Sequence, residues 1–278
     1  VNEMLKIDGG TFMMGSDRLD EKNNGSPAHK VTLGNFSLSK YDITQNEYSN
    51  LMLNNPSLTT KYREPILDEF GYKIGKYKPD KSPDNLPVEN VSWFDAIKYC
   101  NVRSKNEKIP LAYNELTGDL LDENGLVTTN IRKVKGYRLP TESEWEYAAR
   151  GGNKSHGYIY SGSNNVNEVA WYQIKGPQEV GTKKPNELGL YDMTGNVYQW
   201  CTDWFTDYST DSVTEPYISN SHESLKILKL ASRVMRGGSW YADLTEGIGI
   251  KVYTRFFSTP ESSGSSNNIG FRIAKTLT

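Results

Sequence analysis

The stretch from Arg236 to Arg272 sets the tightest limits on how this chain can fold. It opens with Arg236-Gly237-Gly238-Ser239-Trp240 and closes with Asn268-Ile269-Gly270-Phe271-Arg272. Paired glycines reach backbone angles that a side chain forbids, so the opening motif predicts a tight turn with Trp240 as a large buried anchor. Ile269, Phe271 and Ile273 alternate as a half-buried strand does. Between the motifs, Tyr241, Tyr253, Phe256 and Phe257 stand among Ser, Thr and Gly, a composition nearer to a recognition surface than to a core element. The ends read as a frame and the middle as what is framed.

A chain of 278 residues can bury a substantial core, but only 36% of its residues are hydrophobic, and its mean hydropathy is −0.66. With Gly 24 and Tyr 18, these values predict many loops closed over a modest, aromatic-rich interior. Composition does not shift along the chain and no repeat or low-complexity tract divides it, so residues 1–278 read as one domain. A net charge of −2 without a Lys or Arg run argues against nucleic acid or an anionic membrane as partner. Cys100 and Cys201 are too few for a disulfide framework; sequence leaves a single bridge between them open, and buried free thiols are the favoured reading. No run approaches the length of a membrane span, and the start at Val1 carries no export signal, which leaves removal of one open.

Along the chain, residues 8–16 predict a strand after Gly9-Gly10, and Val31–Leu33 with Phe36–Ser39 predict a strand pair joined by a Gly34-Asn35 hairpin turn. Thr44-Gln45-Asn46-Glu47, Ser92-Trp93-Phe94-Asp95 and Thr141-Glu142-Ser143-Glu144 have the form of capping boxes, each opening a helix. The second helix would bury Trp93, Ala96, Ile97 and Cys100 on one face, and the third would stop at Gly151-Gly152. Residues 54–84 and 103–135 read as surface excursions, the latter with a hairpin. Residues 186–205 mix turn residues with Tyr, Trp and Phe and are expected to form the central wall of the core.

These motifs, with Gly9–Gly15, Leu86–Trp93, Tyr137–Gly152 and Gly189–Val197, resemble in order the formylglycine-generating-enzyme (sulfatase-modifying factor) family over the whole chain. The resemblance implies an α+β, C-type lectin fold: a twisted antiparallel sheet, flanking helices and much irregular structure. Enzymatic members use a cysteine pair to bind copper and oxidise a substrate cysteine, and aligning on Trp240 those positions hold Ala242 and Gly247. Neither can supply the thiolate. The related iron-dependent sulfoxide synthases need a histidine cluster, whereas His29, His156 and His222 are isolated in sequence. More narrowly, the chain is similar to variable proteins diversified by retroelements, of the Treponema variable protein type, whose variable residues lie between the same two motifs. In Tyr241 to Asn268 only Glu246, Lys251 and Glu261 belong to residue types that such adenine mutagenesis disfavours.

The resemblance and the composition together imply a non-enzymatic ligand-binding protein, without cofactor or metal, displaying a diversified segment at about 241–268. Candidate contact residues are Tyr241, Ala242, Asp243, Gly247 and Gly249, then Tyr253, Thr254, Phe256, Phe257 and Ser258, and finally Ser263, Ser265 and Ser266. Core packing is the competing reading of the aromatics, although adjacent Phe256 and Phe257 cannot share one face of a strand. Arg236, Arg255 and Arg272 are expected to hold the framework together. Asn196 and Gln199 match a place where family members ligate calcium, but Gln199 brings a neutral carbonyl where calcium prefers a carboxylate. The implied partner is a protein or other ligand at the cell surface, reached by export and a lipid anchor or similar tether. The rival readings are an oxidase of either family type with displaced ligands and a degenerate member serving as a structural subunit.

Overall fold

The computed structural model describes residues 3–17, 25–59, 85–219, 231–244, 249–262 and 267–277. In chain order the α-helices and strands are β1 (Met4–Ile7), β2 (Gly10–Met14), β3 (His29–Leu33), β4 (Phe36–Ser39), α1 (Gln45–Met52), α2 (Trp93–Asn106), α3 (Glu142–Ala149) and α4 (Val166–Val169). They continue with β5 (Tyr198–Trp204), β6 (Val213–Thr214), β7 (Arg233–Arg236), β8 (Phe256–Ser258), β9 (Ile269–Gly270) and β10 (Ala274–Thr276). The result is α+β, with long irregular connections between short elements.

Among the described residues the strands form three sheets, ordered β1-β4-β10, β2-β3-β6 and β8-β7-β5-β9. Residues 186–205 do supply the expected central wall: β5 lies between β7, its antiparallel neighbour, and β9, its parallel one. The Gly34-Asn35 hairpin is not formed. β3 pairs with β2 and β4 with β1, so the two strands belong to different sheets. A two-residue hairpin turn of the favoured type needs positive φ at both central residues, and neither Gly34 nor Asn35 has it. Their polar groups go elsewhere: Gly34 N–H donates to Glu215 at 2.6 Å, and Asn35 Oδ1 accepts from Gly9 N–H at 2.9 Å. The 103–135 excursion holds isolated bridges at Tyr113↔Leu120 and Leu121↔Val127.

All three capping boxes are present, with Thr44, Ser92 and Thr141 accepting from the amide three residues on. Trp93, Ala96, Ile97 and Cys100 lie buried on α2 as their spacing requires. Cys100 and Cys201 are both free and buried, and burial pushes both thiols up.

Helix α3 has a property that its sequence conceals, because all eight of its residues are buried, Glu142, Glu144 and Glu146 included. A buried carboxylate must be paired and hydrogen-bonded. Arg138 meets Glu144 through two bonds of 2.6 and 2.7 Å. Arg255 grips Glu142 at 2.6 and 2.8 Å. Arg236 bridges Glu142 at 3.1 Å and Glu146 at 2.5 Å. Burial raises the Glu146 carboxyl, but Arg150 and Arg236 outweigh it and hold the group below its ordinary range. The framework arginines thus bind carboxylates as well as loop carbonyls, and they lock β7 and the chain before β8 onto α3.

Candidate recognition surface

The surface starts where β7 ends. Gly237 and Gly238 have φ of 90° and 75°, and a Cβ on Gly238 would collide with Ile250. This turn is sewn to two other loops: Gly195 N–H donates to Gly237 O at 2.8 Å, Trp240 N–H to Asn196 O at 2.7 Å and Ile174 N–H to Trp240 O at 3.0 Å. Trp240 is half-buried rather than fully buried, since its ring caps the turn while its Nε1 reaches Asn267 O at 2.8 Å.

On that base Tyr241 stands 73% exposed, edge-on to Trp240 with ring centroids 5.7 Å apart. Asp243 is also exposed and accepts from Gln173 Nε2 at 2.8 Å. Gln173 has φ of 50°, a left-handed conformation that costs a non-glycine residue about 1–2 kcal/mol. Such strain persists where the surroundings impose it and often marks functional loops. Beside it, Tyr172 donates to Asn167 at 2.7 Å, and Lys183 lies 4.2 Å over the Trp171 ring. The 171–173 loop was not foreseen as part of the surface; the Trp171-Tyr172 doublet in a polar stretch was the signal available.

Other candidate residues lie deeper. Ala242 is buried with Val169, Ala170 and Ile250 in a small apolar cluster, against which Tyr160, Tyr172 and Leu244 pack. Tyr253 and Thr254 are buried, Tyr253 within the larger cluster around α3, so their exposure is corrected. Its cause is the arginine anchor next to them: Arg255 binds Glu142, and Arg236 takes the Val252 carbonyl at 2.7 Å, drawing residues 252–255 inward. Phe256 and Phe257 do face opposite sides of β8, but neither side is open. Phe256 meets Tyr198 at 4.8 Å and Phe257 meets Phe205 at 4.5 Å, so each is half-buried against a different core cluster. Ser258 and Gly249 are half-buried. Gly247, Ser263, Ser265 and Ser266 lie outside the described residues.

The side chains near the implied metal positions do not fit a metal. Ala242 offers no ligand atom. Gln199 Oε1 accepts from Trp145 Nε1 at 2.6 Å and from Arg272 Nε at 2.7 Å, so a guanidinium occupies the place calcium would take. Asn196 Oδ1 accepts from Gln178 N–H at 3.0 Å. Of the histidines, His29 is buried against Tyr208 at 4.6 Å, His156 stands 3.5 Å from Glu187, and His222 lies outside the described residues. Among the described residues no group of three or more His, Cys, Asp or Glu is arranged to hold a metal.

Comparison with known proteins places this geometry. The sulfatase-modifying factor enzyme 1-like domain matches residues 1–277. The Paenibacillus barcinonensis protein called chaperone protein LppX is 33% identical, with 99% of this chain and 90% of that protein covered. Two mouse proteins, the formylglycine-generating enzyme and the inactive C-alpha-formylglycine-generating enzyme 2, are each 27% identical, covering 99% and 98% of this chain and 75% and 85% of their own. Among solved structures, Treponema denticola variable protein 1 superposes with a TM-score of 0.74 at 29% identity, over 99% of this chain and 95% of that one.

Proposed function

We propose for this chain, which belongs to the sulfatase-modifying factor enzyme 1-like family, a non-enzymatic binding role in which the rigid scaffold presents the segment at about 241–268 as a recognition surface. One observation carries this reading: Ala242, at a position where the resemblance expects a copper-binding cysteine, is packed into an apolar cluster with Val169, Ala170 and Ile250. An alanine there provides neither a metal ligand nor a redox group, while its neighbour Tyr241 projects outward. The similarity to a variable protein and to an inactive mouse paralogue supports the same view.

The test is incubation of the purified protein with copper, oxygen and a peptide carrying the sulfatase motif. No formylglycine above a protein-free control is expected; formation above it overturns the reading.

Display at the cell surface, after export and tethering, belongs to this proposal, because a diversified surface is useful where partners vary. Protease treatment of intact cells should degrade the protein; full protection with recovery in the cytosol would refute it. Diversification by a retroelement predicts a nearly identical template repeat and a reverse transcriptase gene nearby.

The 33% identity to a protein named a chaperone favours a second reading, in which the surface holds another polypeptide transiently. Suppression of aggregation of a co-expressed protein, abolished by Tyr241→Ala, distinguishes it from display.

A further inference from the structure

Helices α1 and α2 pack beside each other and leave between them a groove of about 280 Å³, lined by Asn46, Glu47, Asn50 and Leu51 from α1 and by Tyr99, Arg103 and Asn106 from α2, with Glu107 at its end. We propose that this groove is a binding site for a neutral sugar residue.

The argument rests on charge and on the pairing of donors and acceptors. The ionic groups compensate one another. Arg103 Nε stands 3.4 Å from Glu107 Oε1 and its guanidinium lies 4.8 Å over the Tyr137 ring, while the other Glu107 oxygen accepts from Tyr137 OH at 2.7 Å. Glu47 closes the α1 capping box on Thr44. Within the groove the Arg103–Glu107 pair is compensated internally, so a charged ligand gains little from either member.

The amides are different. Asn50 Nδ2 donates to Asn46 Oδ1 at 2.9 Å, which leaves Asn46 an amide donor and Asn50 an amide acceptor facing outward. Asn106, exposed at the other wall, adds a donor and an acceptor of its own. A side-chain amide offers both roles a fixed short distance apart, and adjacent sugar hydroxyls, each able to donate and accept, are complementary to it. Leu51 supplies apolar surface for the C–H side of a ring. The volume is at the lower end for a small-molecule site, enough for one sugar residue.

The site is independent of the recognition surface. It is tested with the full chain and glucose, galactose, mannose and N-acetylglucosamine as separate probes, read by ligand-observed saturation-transfer NMR and by titration, with glucuronic acid and glucosamine as charged counterparts. At least one neutral sugar is expected to bind with a Kd of about millimolar, and Asn50→Ala and Asn106→Ala, both at exposed positions, to weaken it at least about fivefold each without changing the Tm. Tyr241→Ala should leave it unchanged. The proposal is overturned if no neutral sugar binds, if only a charged one does, if the Asn50→Ala/Asn106→Ala double variant binds as well as the parent, or if Tyr241→Ala rather than the asparagine variants removes binding.

Discussion

The indole nitrogen of Trp240 donates to the carbonyl of Asn267 at 2.8 Å, joining residues 27 positions apart. The bond clasps the two ends of the recognition segment at its mouth. Below the clasp, β7 and β9 lie on either side of β5, so both ends of the segment are anchored to one strand. Surface and scaffold should therefore respond differently to substitution.

Phe271 is 0% exposed, in the core cluster that also holds Trp93 and Trp200. Phe271→Ala should cost about 3–5 kcal/mol by denaturant unfolding, whereas Tyr241→Ala should stay within about 0.5 kcal/mol. Trp240→Phe, which keeps most of the ring and removes the clasp, should cost about 1 kcal/mol. Equal losses for Phe271→Ala and Tyr241→Ala would refute the division.

The arginine locks on α3 should behave as a coupled unit. Glu142→Gln strips Arg236 and Arg255 of a shared carboxylate and should cost about 3–5 kcal/mol, because two buried guanidinium groups lose their counter-charge. Arg255→Met combined with Glu142→Gln should cost less than the sum of the two single changes. Strict additivity in the double-mutant cycle would show that the pair is not coupled.

Acid should stabilise this fold over a defined range. Burial raises Asp203 from 3.8 to about 7, against the Ile218 and Glu142 N–H groups that favour its charge, and raises Asp192 from 3.8 to about 6 despite Gly181 and Arg272. In the folded protein these carboxyls keep a proton that the unfolded chain has lost. Their contribution is complete below about pH 4 and is lost as pH rises through 6 and 7. Glu146, held below its ordinary 4.5, acts in the opposite sense but only at lower pH. The Tm should therefore rise on going from pH 8 to pH 5, and Asp203→Asn should flatten that slope. An unchanged slope in the variant would assign the effect elsewhere.

Calcium should leave the protein unchanged, because Arg272 stands at Gln199 Oε1. Scanning calorimetry with millimolar calcium and with a chelator should give one Tm. An upward shift with calcium would overturn this expectation.

When a partner is in hand, Tyr241→Ala should weaken binding by about 2 kcal/mol, and Gln173→Ala by less, through loss of its bond to Asp243. Losses confined to another face would place the contact surface elsewhere.

What could be read in advance was local. Thr44, Ser92 and Thr141 announce their helices because a capping box needs only four residues, and α2 shows its buried face at helical spacing. What escaped reading depended on partners far along the chain. Three glutamates spaced along α3 resemble a solvated face; Arg138 and Arg150 lie close by in sequence, but Arg236 and Arg255, 90 and 113 residues away from Glu146 and Glu142, are partners that no local pattern reveals. Tyr253 was misjudged for the same reason, since the neighbouring arginine lock draws it in. Gly34-Asn35 has the composition of a hairpin turn, but its polar groups are taken by Gly9 and Glu215, which no local pattern reveals.

The arginine locks and the Trp240 clasp also bear on length. Residues fixed at Ala242, Ile250 and Tyr253 and at the Asn267 clasp divide the recognition segment into short spans between immobile posts. For a flexible span with fixed ends, doubling its length costs only about 0.6 kcal/mol of closure entropy. Residues added at the exposed Glu261, beyond the β8 pairing, would on this scale cost little stability, so the scaffold can change the reach of its surface as well as its chemistry.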